Sequence, residues 1–217
     1  MHLRRLSSIP APESAPVSRA RLAELSSEIV EIQRAMPSTI RGSRSRSHED
    51  EGVPSTMPTS GWSGMARVLV ETAVHHVVVR ELDAAHRAAH DALLLVDLVE
   101  SESESESESD TFGELSLVLG EVLLEVFEAE RARQRFEAAI AVFERRGDVR
   151  GVARGRVGLA RAMAAVRDPV ACAVLEDAGT VFEDLGEEEL VRAIDLELRE
   201  VSAELGPASF RAPWSKR

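Results

Sequence analysis

The feature that most constrains the fold of this chain is a sequence pattern that returns after a fixed interval. Similar short segments begin at Ala138 and Asp177, 39 residues apart, and a third begins at Asp91, 47 residues before Ala138. The longer interval contains the eight-residue run Ser101–Glu108, in which Ser and Glu alternate, and without it the step is again 39. A period in this range predicts stacked helical hairpins, an architecture that usually binds other proteins.

Helical periodicity and turn residues divide the repeating part into paired helices. Gly147-Asp148 and Gly186-Glu187 recur at the ends of two units, where Gly can close a helix and the acid favours the next N-terminus. The Ser-Glu run enters at the matching end of the first unit, so we expect an extended, acidic loop over 100–110. The predicted helices cover 63–80, 81–99, 112–128, 130–146, 149–166, 169–185 and 187–204.

Residues 1–60 are expected to be mostly disordered, because they are rich in Pro, Ser and polar residues. Within them, an amphipathic helix is predicted near 18–36, with Ser18 before it and Pro37 after it. This helix would lie against the repeat domain as an N-terminal cap, dock on a partner, or pair with its own copy in a homodimer. The repeat domain is assigned to 61–206 and a short tail to 207–217. The apolar seam of the helix consists of Leu22, Leu25, Ile29, Ile32 and Met36.

Composition and charge narrow the possible functions. A net charge of −12 and a pI of about 5.0 disfavour binding to nucleic acid or to an anionic membrane. The only lysine is Lys216, which argues against a P-loop and against Schiff-base chemistry. The single cysteine, Cys172, cannot form an intramolecular disulfide or a cysteine-based zinc site, which fits the reducing cytoplasm. We therefore expect a cytoplasmic protein without a cofactor.

The second unit resembles the tetratricopeptide repeat, whose pattern pairs Leu-Gly in one helix with Ala-x3-Phe-x2-Ala in the next. Here the pattern reads Leu119-Gly120, then Ala132, Phe136 and Ala139. Related positions in the other units are Ala73, Ala85, Ala89 and Ala92, and Val157, Gly158, Ala171, Leu175 and Ala178. The run Val142–Asp148 is similar to a long variant found in bacterial regulatory proteins. The usual Pro at the end of each unit and the usual Tyr are absent from this chain.

This resemblance implies an all-α fold, a right-handed array of about three helical hairpins followed by a C-terminal capping helix at 187–204. Members of the family mostly bind peptides or protein segments on the concave face formed by the first helix of each hairpin. The alignment places an aliphatic and acidic set of side chains on that face, which suits a peptide with Arg or Lys beside apolar anchors. An alternative is that many of the valines are core residues. The predicted partner-binding residues are Val70, Val74, Val77, Val78, Glu114, Leu117, Glu121, Leu124, Glu125, Arg156, Leu159 and Met163.

A histidine cluster offers a different chemistry. His86 and His90 are four residues apart on a predicted helix, and His75 and His76 precede them on the adjoining one. Such a set with a nearby carboxylate can bind metal, although Arg87 stands where a zincin needs Glu. In repeat register, His86 and His90 are expected to face solvent and His76 to be a core residue. Cys172 is expected to be a small core residue.

Two function classes follow from these observations. The first is a non-catalytic adaptor or regulatory subunit that holds a peptide or a partner helix on the concave face. The second is a metal-binding or metal-dependent hydrolytic protein that uses His75, His76, His86 and His90. A third possibility within the binding class is a sensor module for a peptide signal in a regulatory system.

Overall fold

The computed structural model describes residues 15–35, 59–102 and 106–206. Within these ranges the chain forms eight α-helices and no strand, which confirms the all-α prediction. The helices of the repeat region agree with the predicted ones to within a few residues, except that α4 begins six residues earlier, at Glu106. In chain order the helices are α1 (Ala15–Ala35), α2 (Thr59–Val78), α3 (Leu82–Glu102), α4 (Glu106–Glu125), α5 (Ala129–Arg146), α6 (Val149–Ala165), α7 (Ala171–Asp184) and α8 (Glu188–Leu205).

The same hydrogen-bonded backbone turn recurs at the five short connections between α2 and α8 that the structure describes in full. In each, one residue takes a left-handed conformation, and the amide of the next residue donates to a carbonyl five residues earlier, as from Asp148 to Phe143 at 2.9 Å. Glycine provides this conformation at Gly147 and Gly186, as the sequence predicted. The other three turns place a residue with a side chain there. The left-handed residues are Arg80, Phe127, Gly147, Arg167 and Gly186, and each is followed by Asp or Glu.

The tight turns make consecutive helices antiparallel, and they form the hairpins α2/α3, α4/α5 and α6/α7, each packed on the next. The first helices of the hairpins also contact one another, so α2, α4, α6 and α8 form a continuous row. The second helices are joined across hairpins by side chains, as where Arg135 on α5 meets Asp97 on α3 at 2.7 Å. The row α2, α4, α6, α8 is therefore the shorter, inner side of the array.

Two phenylalanine rings of α5 hold the centre of the array together. Phe136 is enclosed between Gly120 on α4 and Gly158 on α6; a Cβ added at Gly120 would lie 2.7 Å from the ring, and one at Gly158 would overlap it. Phe143 meets Gly151 of α6 in the same way, at 2.6 Å from such a Cβ. The missing side chains let three helices approach closely, so the Leu-Gly and Phe positions of the sequence pattern do contact each other.

The core is aliphatic, as the composition implied. One buried cluster extends from α2 to α5 and includes Ala162 of α6, and a second one joins α6, α7 and α8. Small residues such as Ala85, Ala132 and Ala171 are fully buried where helices cross. Cys172 is buried in the second cluster, as expected.

Both ends of the array are covered. At one end α1 packs on α2, with Leu25 and Ser18 buried, which agrees with the capping alternative for the amphipathic helix. At the other end Ile194 and Val201 of α8 are buried against the second cluster. The positions 39 residues after the buried Ala153 and Ala160 of α6 are Arg192 and Arg199, which are exposed. A polar outer side thus ends the row at α8.

The acidic insertion differs from the prediction. We expected an extended loop over 100–110, but α3 continues to Glu102 and α4 begins at Glu106. Glu has a good helix propensity, and both helices are already nucleated by their packed portions, so helix extends into the run from each side. The predictions for 1–14, 36–58, 103–105 and the tail 207–217 lie outside the described residues. None of the helices in the described ranges is both long and apolar enough to cross a membrane.

Candidate inner-face binding site

The inner face consists of the side chains that α2, α4 and α6 direct away from their hairpin partners. On α4 these side chains recur at helical spacing and are mainly acidic, whereas on α6 they are basic. The two helices are neighbours, so an acidic row lies beside an arginine row. The α4 row is Glu114, Val118, Glu121 and Glu125, the α6 row is Arg150, Arg154 and Arg161, and α2 contributes Arg67, Glu71 and His75.

An accessible charge pair near the middle of this face joins α4 to α6. Arg154 donates two hydrogen bonds to Glu114, at 2.9 Å from Nη1 to Oε1 and 3.3 Å from Nη2 to Oε2. The side chains remain 36% and 51% exposed, respectively. An exposed pair of this kind contributes little to stability, so both groups can change partners when a ligand arrives.

A second pair, between α6 and α8, is buried. Arg161 donates to both carboxylate oxygens of Glu197, at 2.6 and 2.9 Å, and the side chains are only 10% and 3% exposed. Glu121 of the acidic row is also buried and is engaged by another group of the protein. This part of the inner face is a fixed structural junction.

The charges on α2 are held by the capping helix. Arg21 of α1 donates to Glu71 at 2.7 and 3.2 Å, and these hydrogen bonds lower the pKa of the Glu71 carboxyl. His75 lies one turn further along, with its Nε2 atom 3.8 Å from Glu71. Burial lowers the pKa of the His75 imidazole, which is therefore neutral at pH 7. Glu71 is thus a docking point for α1.

The two ends of the central part are also paired. At one end, Arg80 lies 3.8 Å from Glu125. At the other, Arg150 meets Glu187 at 2.8 Å, beside an open polar cleft of about 520 Å³ that also includes Arg192. Both arginines of the cleft are paired, since Arg192 lies 3.3 Å from Glu188.

The structure separates the predicted partner-binding residues into three groups. Only Glu114 is both on the inner face and well exposed, while Glu125 is there and half-buried. Arg156 is directed to Glu144 on α5, 3.9 Å away, and Leu124 and Leu159 pack partly buried against the core. The buried group is Val70, Val74, Val77, Val78, Leu117, Glu121 and Met163. The four valines are thus core residues, which was the alternative interpretation of their pattern.

The histidines do not assemble into one site. His86 faces outward, as expected, and its Nε2 atom lies 3.1 Å from Glu128. His90 is exposed as well. His76 was expected in the core, but it is half-buried at the end of α2, with Nδ1 2.8 Å from Glu81. In the part of the chain that the structure describes, no three His, Cys, Asp or Glu side chains are grouped so that they could hold a metal ion. The described residues therefore provide no set of ligands for the hypothesised metal site.

The sequence reasoning overlooked the arginine row of α6 and the charge pairs that cross between hairpins. Arg150, Arg154 and Arg161 are spaced by four and seven residues, which indicates one helix face. The partner of Arg154 lies 40 residues earlier and that of Arg161 lies 36 residues later, close to one repeat period. A search for opposite charges at this spacing could have found both pairs.

No protein-family model, curated protein or solved structure matches this chain. The assignment of function therefore rests on the residues themselves.

Proposed function

We propose that this chain is a non-catalytic protein-interaction scaffold that holds a peptide or a partner helix on its inner face. In this proposal the helical hairpins form a right-handed array of the tetratricopeptide type. Alternating helices that stack in a row leave one long surface for a ligand, and such surfaces bind extended segments of other proteins. The architecture favours this function over the metal-dependent alternative, for which the described residues assemble no set of ligands.

The observation that carries the proposal is the Glu114–Arg154 pair. It lies on the inner face between two adjacent hairpins, and both groups are accessible and oppositely charged. A bound segment can offer a carboxylate to Arg154 in bidentate geometry and an Arg or Lys to Glu114. Val118, half-buried between Glu114 and the next turn of α4, supplies an apolar contact. The expected ligand is thus a short segment with both charges around an apolar anchor.

This function is tested by selecting ligands from a displayed library of random dodecapeptides on the immobilised full chain. The affinity of the strongest peptide is then measured by calorimetry for wild type and for the variant E114Q/R154Q. We expect the double substitution to weaken binding about tenfold, because it removes two charged contacts of the ligand.

The chain offers a matched control on the outer side. Arg133 and Glu137 of α5 form a pair at 3.0 Å with similar exposure. The variant R133Q/E137Q should bind the peptide as wild type does. Circular dichroism spectra would verify that both variants remain folded. Equal affinity for wild type and E114Q/R154Q, or an equal loss in the α5 control, would show that the inner face is not the binding surface.

A further inference from the structure

Phe127 has an unusual conformation for a residue of its kind. It lies in the turn between α4 and α5 with φ of 66°, and its side chain is 85% exposed. A bulky residue is strained in the left-handed region, which glycine occupies at Gly147 and Gly186. Within the described structure nothing covers the ring, so neither its burial nor its backbone preference explains an aromatic side chain at this place. Such a position marks a candidate functional surface.

Other exposed apolar side chains lie at the same end of the array. Val166 and Val170 flank the turn between α6 and α7, and both are about half exposed. This turn and the turn at Phe127 connect the two helices of successive hairpins, so they lie side by side along one edge. We call Phe127, Val166 and Val170 the turn edge.

The last described residue, Gly206, lies beside the turn edge. α8 runs in the same direction as α6, so it ends where α6 ends. A contact confirms this placement, since the Sγ atom of Cys172, at the start of α7, is 3.5 Å from the Oγ atom of Ser202. The chain beyond Gly206 therefore begins next to Val166 and Val170.

The composition of 207–217 complements this edge. The segment contains Phe210 and Trp214, three basic residues and no acidic one. Residues 61–206 contain 15 basic and 31 acidic residues, a formal charge of −16. At or next to the two turns lie three carboxylates, of Glu128, Glu130 and Asp168, and two guanidinium groups, of Arg131 and Arg167. Aromatic side chains with neighbouring positive charge match an apolar strip on an acidic domain.

We propose that the turn edge is a docking surface for the chain's own segment 207–217, with Phe210 and Trp214 against Phe127, Val166 and Val170. The reach is sufficient: 11 residues span at most about 36 Å when extended, and packed helices lie about 10 Å apart. The turn edge is distinct from the inner face, so this inference does not depend on the proposed function. A docked segment also explains why an aromatic residue occupies this exposed position, where its backbone is strained.

Photocrosslinking in the full chain tests the proposal. Phe127 is replaced by p-benzoyl-phenylalanine, the protein is irradiated at low concentration, and its peptides are mapped by mass spectrometry. The expected product joins position 127 to the 207–217 segment of the same molecule. The same replacement at Leu94, an exposed residue of α3, is the control and should give no such product. A crosslink from 127 to another molecule, to another part of the chain, or to no residue at all contradicts the proposal.

A second measurement follows Trp214 directly. In the variant W62F, Trp214 is the only tryptophan. Its emission should lie at shorter wavelength than that of a free peptide of residues 207–217, and the further substitution F127S should move it to the peptide's value. If W62F and W62F/F127S both emit as the free peptide does, the segment is not docked on this edge. If the two variants share a blue-shifted emission, the segment docks elsewhere, which also overturns the proposal.

Discussion

Neighbouring helices are held together in different ways around α5 and at α8. Gly158 of α6 and Glu197 of α8 are 39 residues apart and so hold the same place in the repeat. At Gly158 the helix accepts the ring of Phe136 because no side chain intervenes. At Glu197 a buried carboxylate receives two hydrogen bonds from Arg161. The central junction is thus held by shape, and the terminal one by a charge pair.

This difference shows how the array continues and how it stops. Close-packed glycine and phenylalanine need a neighbouring helix on each side, and such neighbours exist only inside the row. α8 is the last helix of the row in the described ranges, and its outer positions carry Arg192 and Arg199. A charge pair fixes the last helix in one orientation without creating a new apolar surface. Three predictions test this contrast, in order of decreasing effect.

The largest effect is expected from removing Arg161 alone. The variant R161M leaves the Glu197 carboxylate buried without its main partner, which should lower the free energy of unfolding by about 3 kcal/mol. Replacing both residues, in R161M/E197L, should restore stability to within about 1 kcal/mol of wild type, because two apolar groups need no pairing. Urea unfolding followed by circular dichroism measures both values. If the double variant is as unstable as R161M, the charge pair is not what holds α8.

A smaller effect is expected at the central junction. A methyl group in G158A overlaps the Phe136 ring, so the variant should be destabilised by about 2 kcal/mol despite the better helix propensity of Ala. The added substitution F136L should recover part of the loss, since Leu175 fills the matching place in the third hairpin. Thermal unfolding of each variant provides the measurement.

Gly64 provides the control for helix propensity. A Cβ at this position meets no atom within 4 Å, so G64A should leave stability unchanged or raise it by up to about 1 kcal/mol. Equal destabilisation by G64A and G158A would mean that the close approach to Phe136 does not determine the packing.

The smallest effect concerns the N-terminal cap and depends on pH. The folded-state pKa of Glu71 lies below its ordinary value of 4.5, chiefly through the hydrogen bonds from Arg21. Its contribution is therefore present above pH 4.5 and is lost as pH falls through the folded-state pKa. Besides Arg21, the groups whose positive charge lowers it are Arg67 and, when protonated, His75 of α2.

The variant E71Q should unfold a few degrees below wild type at pH 6, and this difference should shrink as the pH falls below 4.5. Calorimetric scans of both proteins at several pH values measure this difference. A difference that is constant over the whole range would show that ionisation of Glu71 does not stabilise the docking of α1.

The sequence predicted more of the fold than of the site. Helix order and pairing could be predicted because they depend mainly on local periodicity. The informative patterns were the step of 39 residues, the glycine turns and the helical spacing of apolar residues. The rotation of each helix about its axis depends on its neighbours. Val77 was assigned to the groove and is buried, while Arg154 was overlooked and lies on the inner face. The loop predicted from the alternating charges is likewise shortened at Glu102 and Glu106, because packed helices extend into the acidic run.

Hydrogen exchange of the full chain with and without a peptide selected on it is the most direct test of the proposed scaffold. Bound peptide should slow amide exchange in the parts of α4 and α6 around Glu114 and Arg154. It should leave α3, α5 and α7 unchanged, because these helices form the outer side. Protection confined to the outer helices, or no protection at saturating peptide, would contradict binding at the inner face.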